Sequence, residues 1–314
     1  MRPTLKGSRS GALKSEPFLH VPPVAKSGYN LFMSSTPPRR FTLSDLRQAR
    51  TTGRKVPMLT CYDFSTARLM QRAGIPMLLV GDSAANVILG HESTLPITLD
   101  FLIELTAAVR RGAPLSLVVG DLPFGSYGMD VARGFESATR MVKLSGCDCV
   151  KLEAGESHLP LITELADNGV AVMAHLGLKP QSVNVLGGYK FQGRTAAEAR
   201  SIVDLAVRME GAGATAILLE AVPPEVSAEV VRKTGVPVIG CGAGPACHGH
   251  VVVTHDLLGL TDQAPKFVPR LADLSSPLQA SFERYARQVN GGEYPAAEHT
   301  YAMPAEEKAK FARE

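Results

Sequence analysis

Short apolar runs recur along the chain, each followed by an amphipathic stretch. The runs read as strands at residues 57–61, 77–81, 115–120, 149–152, 170–174, 215–219, 236–240 and 251–254. They are apolar at successive positions, as in strands covered on both faces. Helical periodicity marks residues 64–73, 99–111, 131–145, 159–168, 196–210 and 224–233. It is clearest at 196–210, where Ile202, Leu205, Ala206 and Met209 share one face and Arg200, Asp204 and Arg208 lie elsewhere. Eight strand-then-helix units predict an α/β chain closed as a (β/α)8 TIM barrel. Only residues 241–250 separate the last two strands, too few for a full crossover helix, so an abbreviated link is expected there. Thr42-Leu43-Ser44-Asp45 is a capping-type start for a short helix ending before Gly53. A final helix over 277–289 stops at Asn290-Gly291-Gly292.

These elements divide the chain into an extension (1–40), a catalytic barrel (41–292) and a loosely held tail (293–314). The extension is rich in Pro, Ser, Gly, Lys and Arg, with Glu16 its one acidic residue, and cannot pack a core. A disordered extension, a targeting segment and a start upstream of Met33 all suit it. With 314 residues, 45% hydrophobic and 20% charged, the remainder can bury one large core. A net charge of +3 without a basic stripe argues against a nucleic-acid role and for a small-molecule substrate. Five cysteines, an odd number, point to free thiols in a reducing compartment. No apolar run reaches bilayer-spanning length and no secretory-type segment is visible, so a soluble cytoplasmic protein is expected.

In such barrels the active site lies at the strand C-termini. There the chain carries Asp63, Asp82-Ser83, Asp121, Lys151 with Glu153, His175, Glu220 and His255-Asp256. A single terminal carboxylate could merely cap the next helix. That reading weakens when charged side chains of both signs recur from strand to strand. Lys151 and Glu153, at i and i+2, share one face of their strand. Carboxylates gathered at one mouth repel unless a cation lies between them, and a serine with carboxylates suits Mg²⁺. Such an ion would polarise an α-keto acid while a base, best supplied by Glu220, removes the neighbouring proton.

Several runs carry a closer likeness: Val80-Gly81-Asp82-Ser83, Gly90-His91-Glu92-Ser93-Thr94-Leu95-Pro96, Asp121-Leu122-Pro123-Phe124, Val150-Lys151-Leu152-Glu153, His175-Leu176-Gly177-Leu178, Pro180-Gln181-Ser182-Val183-Asn184, Leu219-Glu220 and Gly240-Cys241-Gly242-Ala243-Gly244. In order from about Met58 to Phe267, the chain resembles the ketopantoate hydroxymethyltransferase family. The resemblance implies a decameric (β/α)8 barrel that moves a hydroxymethyl group from methylenetetrahydrofolate to 3-methyl-2-oxobutanoate, giving 2-dehydropantoate for pantothenate synthesis. It implies Asp82, Asp121 and Glu153 as Mg²⁺ ligands. Asp82, Ser83, Asp121, Lys151 and His175 would hold substrate, and Glu220 would be the proton acceptor. Two stretches depart from the family pattern: Ala84-Ala85-Asn86 after the second strand and His248-Gly249-His250 after the Gly-rich turn. Both are expected to reshape loops of the active mouth.

Other readings carry less. Gly240 to Gly244 lacks the full phosphate-cradle pattern, and Cys247, His248 and His250 lack a second pair of zinc ligands. A carbon-carbon lyase of the phosphoenolpyruvate mutase and isocitrate lyase group would need a Lys-Lys-Cys-type loop that is not seen. A non-catalytic binding barrel would have no need of Asp82, Asp121, Lys151, Glu153 and Glu220 together.

Overall fold

Eight parallel strands close on one another in chain order, as the repeated strand-then-helix pattern requires. In the computed structural model, which describes residues 39–312, they are β1 (Val56–Thr60), β2 (Met77–Val80), β3 (Leu117–Asp121), β4 (Cys149–Glu153), β5 (Val172–Gly177), β6 (Ala216–Glu220), β7 (Val238–Cys241) and β8 (Gly249–Val252). The expected extension, up to residue 38, lies outside the described residues. Helix α1 (Leu43–Thr52) precedes β1, and α2 (Phe64–Arg72) follows it. After β2 come α3 (Ala84–Val87) and α4 (Leu99–Gly112), after β3 α5 (Val131–Ser145), and after β4 α6 (Leu159–Asp167). Helices α7 (Val183–Leu186) and α8 (Ala196–Gly211) follow β5, and α9 (Pro224–Lys233) follows β6. Beyond β8 lie α10 (Thr254–Leu257), α11 (Ser275–Asn290) and α12 (Ala305–Phe311). As expected, no helix joins β7 to β8.

Alternation along each strand creates two apolar layers. Met58, Met77, Leu79, Leu117, Val119, Cys149, Met173, Leu218, Ile239 and Val251 are buried together inside the barrel. Leu46 and Ala49 of α1 join that cluster, so α1 closes the N-terminal end. Its entry is pinned by a reciprocal cap, with the Asp45 amide donating to Thr42 Oγ1 and the Thr42 amide to Asp45 Oδ2. The opposite parity, including Val118, Val150, Leu152, Ala174, Ile217 and Leu219, packs outwards on helix residues such as Met141, Leu165, Ala206 and Met209. Each such buried Val, Leu, Ile or Met side chain contributes roughly 1.5–3 kcal/mol.

One expectation is corrected. His248-Gly249-His250 does not lie in the active mouth, because Gly249 begins β8 and the N-terminal ends of parallel strands lie at the opposite end of a barrel. The chain must run back from the C-terminal end of β7 before β8 can start, and residues 242–248 make that return. The His248 amide donates to the carbonyl of Val238, the first residue of β7, and the Val238 amide donates to His248 Nδ1.

Pro57 of β1 and His250 of β8 are adjacent in register and exposed on the outer face. Helix α11 has no buried residue among the described ones, yet it carries Leu278, Phe282, Tyr285 and Val289 at three- and four-residue spacing. Residues 293–312 form a 3-10 turn at Ala297–His299 and α12, and are almost wholly exposed.

Candidate active site in the barrel mouth

Inward parity decides which strand-end residues meet. Asp121 continues the row of Leu117 and Val119, Lys151 and Glu153 that of Cys149, His175 that of Met173, and Glu220 that of Ala216 and Leu218. The apolar side chains form a sealed floor, and the polar ones lie directly above it. Asp82, Asp121, Lys151, Glu153 and His175 are all buried, while Glu220 is partly open to the cavity. That cavity, of about 660 Å³, is bordered by Asp82, Ser83, Asp121, Lys151, His175 and Glu220.

A continuous polar chain crosses four strands. Lys151 Nζ lies 2.7 Å from Asp121 Oδ1 and 3.5 Å from His175 Nδ1, and His175 Nε2 lies 3.2 Å from Glu220 Oε2. Burial opposes the Lys151 charge, but Asp121, Asp82 and Glu153 outweigh it and hold the ammonium above the ordinary lysine value. Burial also lowers His175, with Lys151 adding to the effect, so its imidazole is neutral. An ammonium facing Nδ1 leaves the ring proton on Nε2, the nitrogen nearest Glu220, although the pair is not aligned as a hydrogen bond.

The β5–β6 join positions the end of that chain. A Cβ on Gly177, whose φ is +90°, would lie 2.3 Å from the Glu220 carbonyl oxygen, so only glycine lets the two strand ends approach. Ala221, directly after Glu220, has φ 48°, a left-handed conformation rare for alanine and often found beside functional residues.

Sequence reasoning left two side chains without a role. Gln181, in the segment after β5, donates from Nε2 to Asp82 Oδ2 at 2.9 Å and from its backbone amide to both Glu153 oxygens, at 3.0 and 3.2 Å. The Tyr127 hydroxyl donates to Gln181 Oε1 at 2.8 Å and accepts from the Glu153 amide at 2.9 Å. Gln181 stands in a motif that pointed to it, whereas Tyr127 has no sequence signal, being buried in an irregular segment. Tyr62 bonds Ser83 Oγ at 2.8 Å. Asp63 serves as a helix cap, with Oδ1 accepting from the Thr66 amide at the start of α2. Asp256 lines the cavity and accepts from Thr261 Oγ1.

Residues 40–297 match the family model described as ketopantoate hydroxymethyltransferase. The chain belongs to this family. It is 46% identical over 274 residues to the 3-methyl-2-oxobutanoate hydroxymethyltransferase of Oleidesulfovibrio alaskensis, covering 87% of this chain and 94% of that one. With the protein of the same name from Thermobifida fusca it shares 47% over 264 residues, 84% of this chain and 94% of that one. Among solved structures, a phosphonopyruvate hydrolase complexed with oxalate and Mg++ matches with TM-score 0.56 at 15% identity, covering 82% and 93%. A 2,3-dimethylmalate lyase of the PEP mutase/isocitrate lyase superfamily matches with TM-score 0.53 at 16% identity, covering 86% and 98%. These two likenesses are of fold alone.

For this member of the ketopantoate hydroxymethyltransferase family, the donor chemistry of the mouth fits a hard divalent ion. Asp82, Asp121 and Glu153 are three buried carboxylates beside one buried ammonium. Burial, with Asp82 and Asp121 adding repulsion against the opposing pull of Lys151, pushes Glu153 up to about 8. Burial likewise raises Asp121. Among the described residues no three His, Cys, Asp or Glu side chains converge closely enough to cage a metal by themselves. Asp82 and Asp121 are nonetheless neighbours, the Asp82 amide donating to Asp121 Oδ2 at 3.0 Å. Such a pair leaves coordination positions for substrate oxygens and water, as Mg²⁺ sites do.

Proposed function

We propose that this enzyme is a 3-methyl-2-oxobutanoate hydroxymethyltransferase of pantothenate biosynthesis. It would transfer a hydroxymethyl group from methylenetetrahydrofolate to the keto acid, giving 2-dehydropantoate and tetrahydrofolate. The observation that carries this reading is the run Asp121, Lys151, His175, Glu220, which ends on a partly open carboxylate in a cavity flanked by Asp82 and Ser83.

The keto acid is an anion, and Lys151 is the buried cation that meets it. Asp82, Asp121 and Glu153 would hold Mg²⁺, which when bound supplies Lewis-acid polarisation of the keto acid's oxygens. Ser83, steadied by Tyr62, offers a hydroxyl to the same substrate. Glu220 takes the proton from C3, and the electron pair left behind delocalises into the keto group, where Lys151 opposes the new negative charge. His175 contacts Glu220 through Nε2 and keeps the receiving carboxylate oriented. C3 then forms a carbon-carbon bond to the one-carbon unit, whose two bonds to folate nitrogens break, those nitrogens taking up the proton lost from C3 and one proton of water. One water supplies the hydroxyl, so that keto acid, donor and water balance 2-dehydropantoate and tetrahydrofolate.

The reading extends to a homo-oligomer, a decamer by family resemblance. The apolar stripe of α11 and the exposed outer face at Pro57 and His250 support burial against other copies. It also extends to a cytoplasmic setting, supported by the five free cysteines. Among the described residues, no helix is long and apolar enough to cross a membrane. The direct test is turnover of 3-methyl-2-oxobutanoate with methylenetetrahydrofolate and Mg²⁺, read as 2-dehydropantoate formed. No product with both substrates and metal supplied would remove the proposal.

A further inference from the structure

Asp121 and Glu153 stand on rungs of the barrel ladder, opposite Lys151 and His175. Asp82 does not, because β2 ends at Val80 and its last rung pairs Val80 with Gly120. The sheet therefore leaves the Asp82 side chain unplaced, beside an Asp121 carboxylate that repels it. Its backbone amide is held by Asp121 Oδ2. Among the described residues its carboxylate accepts one hydrogen bond only, from Gln181 Nε2 at 2.9 Å.

Gln181 is buried in the middle of a 3-10 turn, Pro180–Ser182, between β5 and α7. Both polar ends of its side chain are engaged. Nε2 donates to Asp82 Oδ2 and, at 3.0 Å, to the carbonyl of Leu122, the residue after Asp121, while Oε1 accepts from the Tyr127 hydroxyl at 2.8 Å. Two acceptors on one side and a hydroxyl on the other fix which end of the carboxamide is nitrogen. The Gln181 backbone amide meets both oxygens of Glu153, and the Tyr127 hydroxyl accepts from the Glu153 amide at 2.9 Å. One residue thus ties together the ends of β2, β3 and β4, the strands that carry the three candidate metal ligands. Neither Gln181 nor Tyr127 borders the cavity, so neither touches a keto acid held in it.

We propose that Gln181, steadied by Tyr127, is a positioning residue that presents Asp82 and Glu153 to the divalent ion. The proposal rests on the Mg²⁺-dependent reading above and gives a task to two residues that reading left without one. An N–H can only donate, so Gln181 holds Asp82 Oδ2 as an acceptor, and Asp82 Oδ1 has no hydrogen-bond partner among the described residues. Carboxylates gathered before the ion arrives need less rearrangement to receive it. Partners that orient metal ligands in this way change metal affinity by about 10–100-fold when they are lost.

The test is calorimetric titration of Mg²⁺ into the full chain, alone and with saturating 3-methyl-2-oxobutanoate. Gln181→Met keeps the side chain's length and the backbone amide, so Glu153 retains its donor and only the bonds to Asp82, Leu122 and Tyr127 are lost. It should weaken Mg²⁺ binding by about 10–100-fold. Tyr127→Phe, which removes one oxygen, should weaken it about fivefold, the scale of a single hydrogen bond. Because neither residue touches the substrate, deuterium exchange at C3 should need more Mg²⁺ in both variants yet keep most of its wild-type rate once Mg²⁺ saturates. A residue that only supports the fold would lower the melting temperature of the metal-free protein and leave the Mg²⁺ affinity unchanged. Wild-type Mg²⁺ affinity in both variants, or in Tyr127→Phe alone where Gln181→Met does not fold, would overturn the proposal, as would exchange that stays low at saturating Mg²⁺. If the wild-type chain binds no Mg²⁺ with or without the keto acid, the metal reading itself fails and this one falls with it.

Discussion

Lys151 occupies an inward strand position where the residue two before it, Cys149, packs in the apolar floor. Lys151 is only 4% exposed, at the edge of the cavity, and its partner Asp121 has no exposed surface. Removing one member of such a pair leaves the other charge buried and uncompensated, at a cost of about 3–5 kcal/mol. Lys151→Met should therefore destabilise the fold by about that amount in chemical denaturation. Adding Asp121→Asn should recover most of the loss, because the orphaned carboxylate is removed, while leaving the enzyme inactive. A double variant no more stable than Lys151→Met would show that the pair is not the electrostatic unit described here.

Residues of this kind were legible because strand parity and chain position locate them without coordinates. Asp121, Lys151, Glu153, His175 and Glu220 each close an apolar run, and a period of two turns them inwards together. Asp63 closed such a run too, but its carboxylate caps α2, a local role that position alone cannot separate from a shared one. Gln181 was named only within a motif and Tyr127 not at all, because one lies in a three-residue 3-10 turn and the other in an irregular segment, where no periodicity says which way a side chain points.

At the scale of elements, all eight strands and six of the connecting helices could be read from hydrophobic pattern, with strand ends displaced by at most three residues. The four-residue helices α3, α7 and α10 are too short to show a period. Misplacing His248-Gly249-His250 came from treating the β7–β8 link as a mouth loop, when its last residues lie at the far end. This has a measurable consequence. Burial, with Arg50 and Lys55 nearby, lowers His248 from 6.5 to about 4. Above pH 6.5 the imidazole is neutral in folded and unfolded chain alike, and its stability contribution is intact. As pH falls from 6.5 to 4 the unfolded chain takes the proton and the folded one resists it, so stability drops. After solvent screening of this half-buried group the loss should be about 1–2 kcal/mol. His248→Asn should flatten that part of the stability profile in denaturant titrations at pH 7, 5.5 and 4. An unchanged slope would place the proton uptake elsewhere.

At the scale of the whole molecule, two exposed features want cover: the stripe Leu278, Phe282, Tyr285, Val289 on α11, and the outer face of β1 and β8. An amphipathic helix with no buried residue is expected to bury its apolar side on another copy. Phe282→Asp together with Val289→Asp should lower the assembly size in sedimentation velocity without unfolding the barrel. A wild-type monomer, or an unchanged assembly in the double variant, would contradict that reading.

The barrel's purpose, on this account, is to bring four strand ends together so that Glu220 removes a proton from a keto acid whose charge is held by Lys151. Solvent exchange at C3 of 3-methyl-2-oxobutanoate reads that step alone, with Mg²⁺ present and no folate. The wild-type enzyme should introduce deuterium at C3 well above the buffer rate, and Glu220→Gln should slow it by about 10²–10⁴-fold, the usual contribution of a positioned base. Exchange at the wild-type rate in Glu220→Gln, or none above buffer in the wild type, would contradict the central claim.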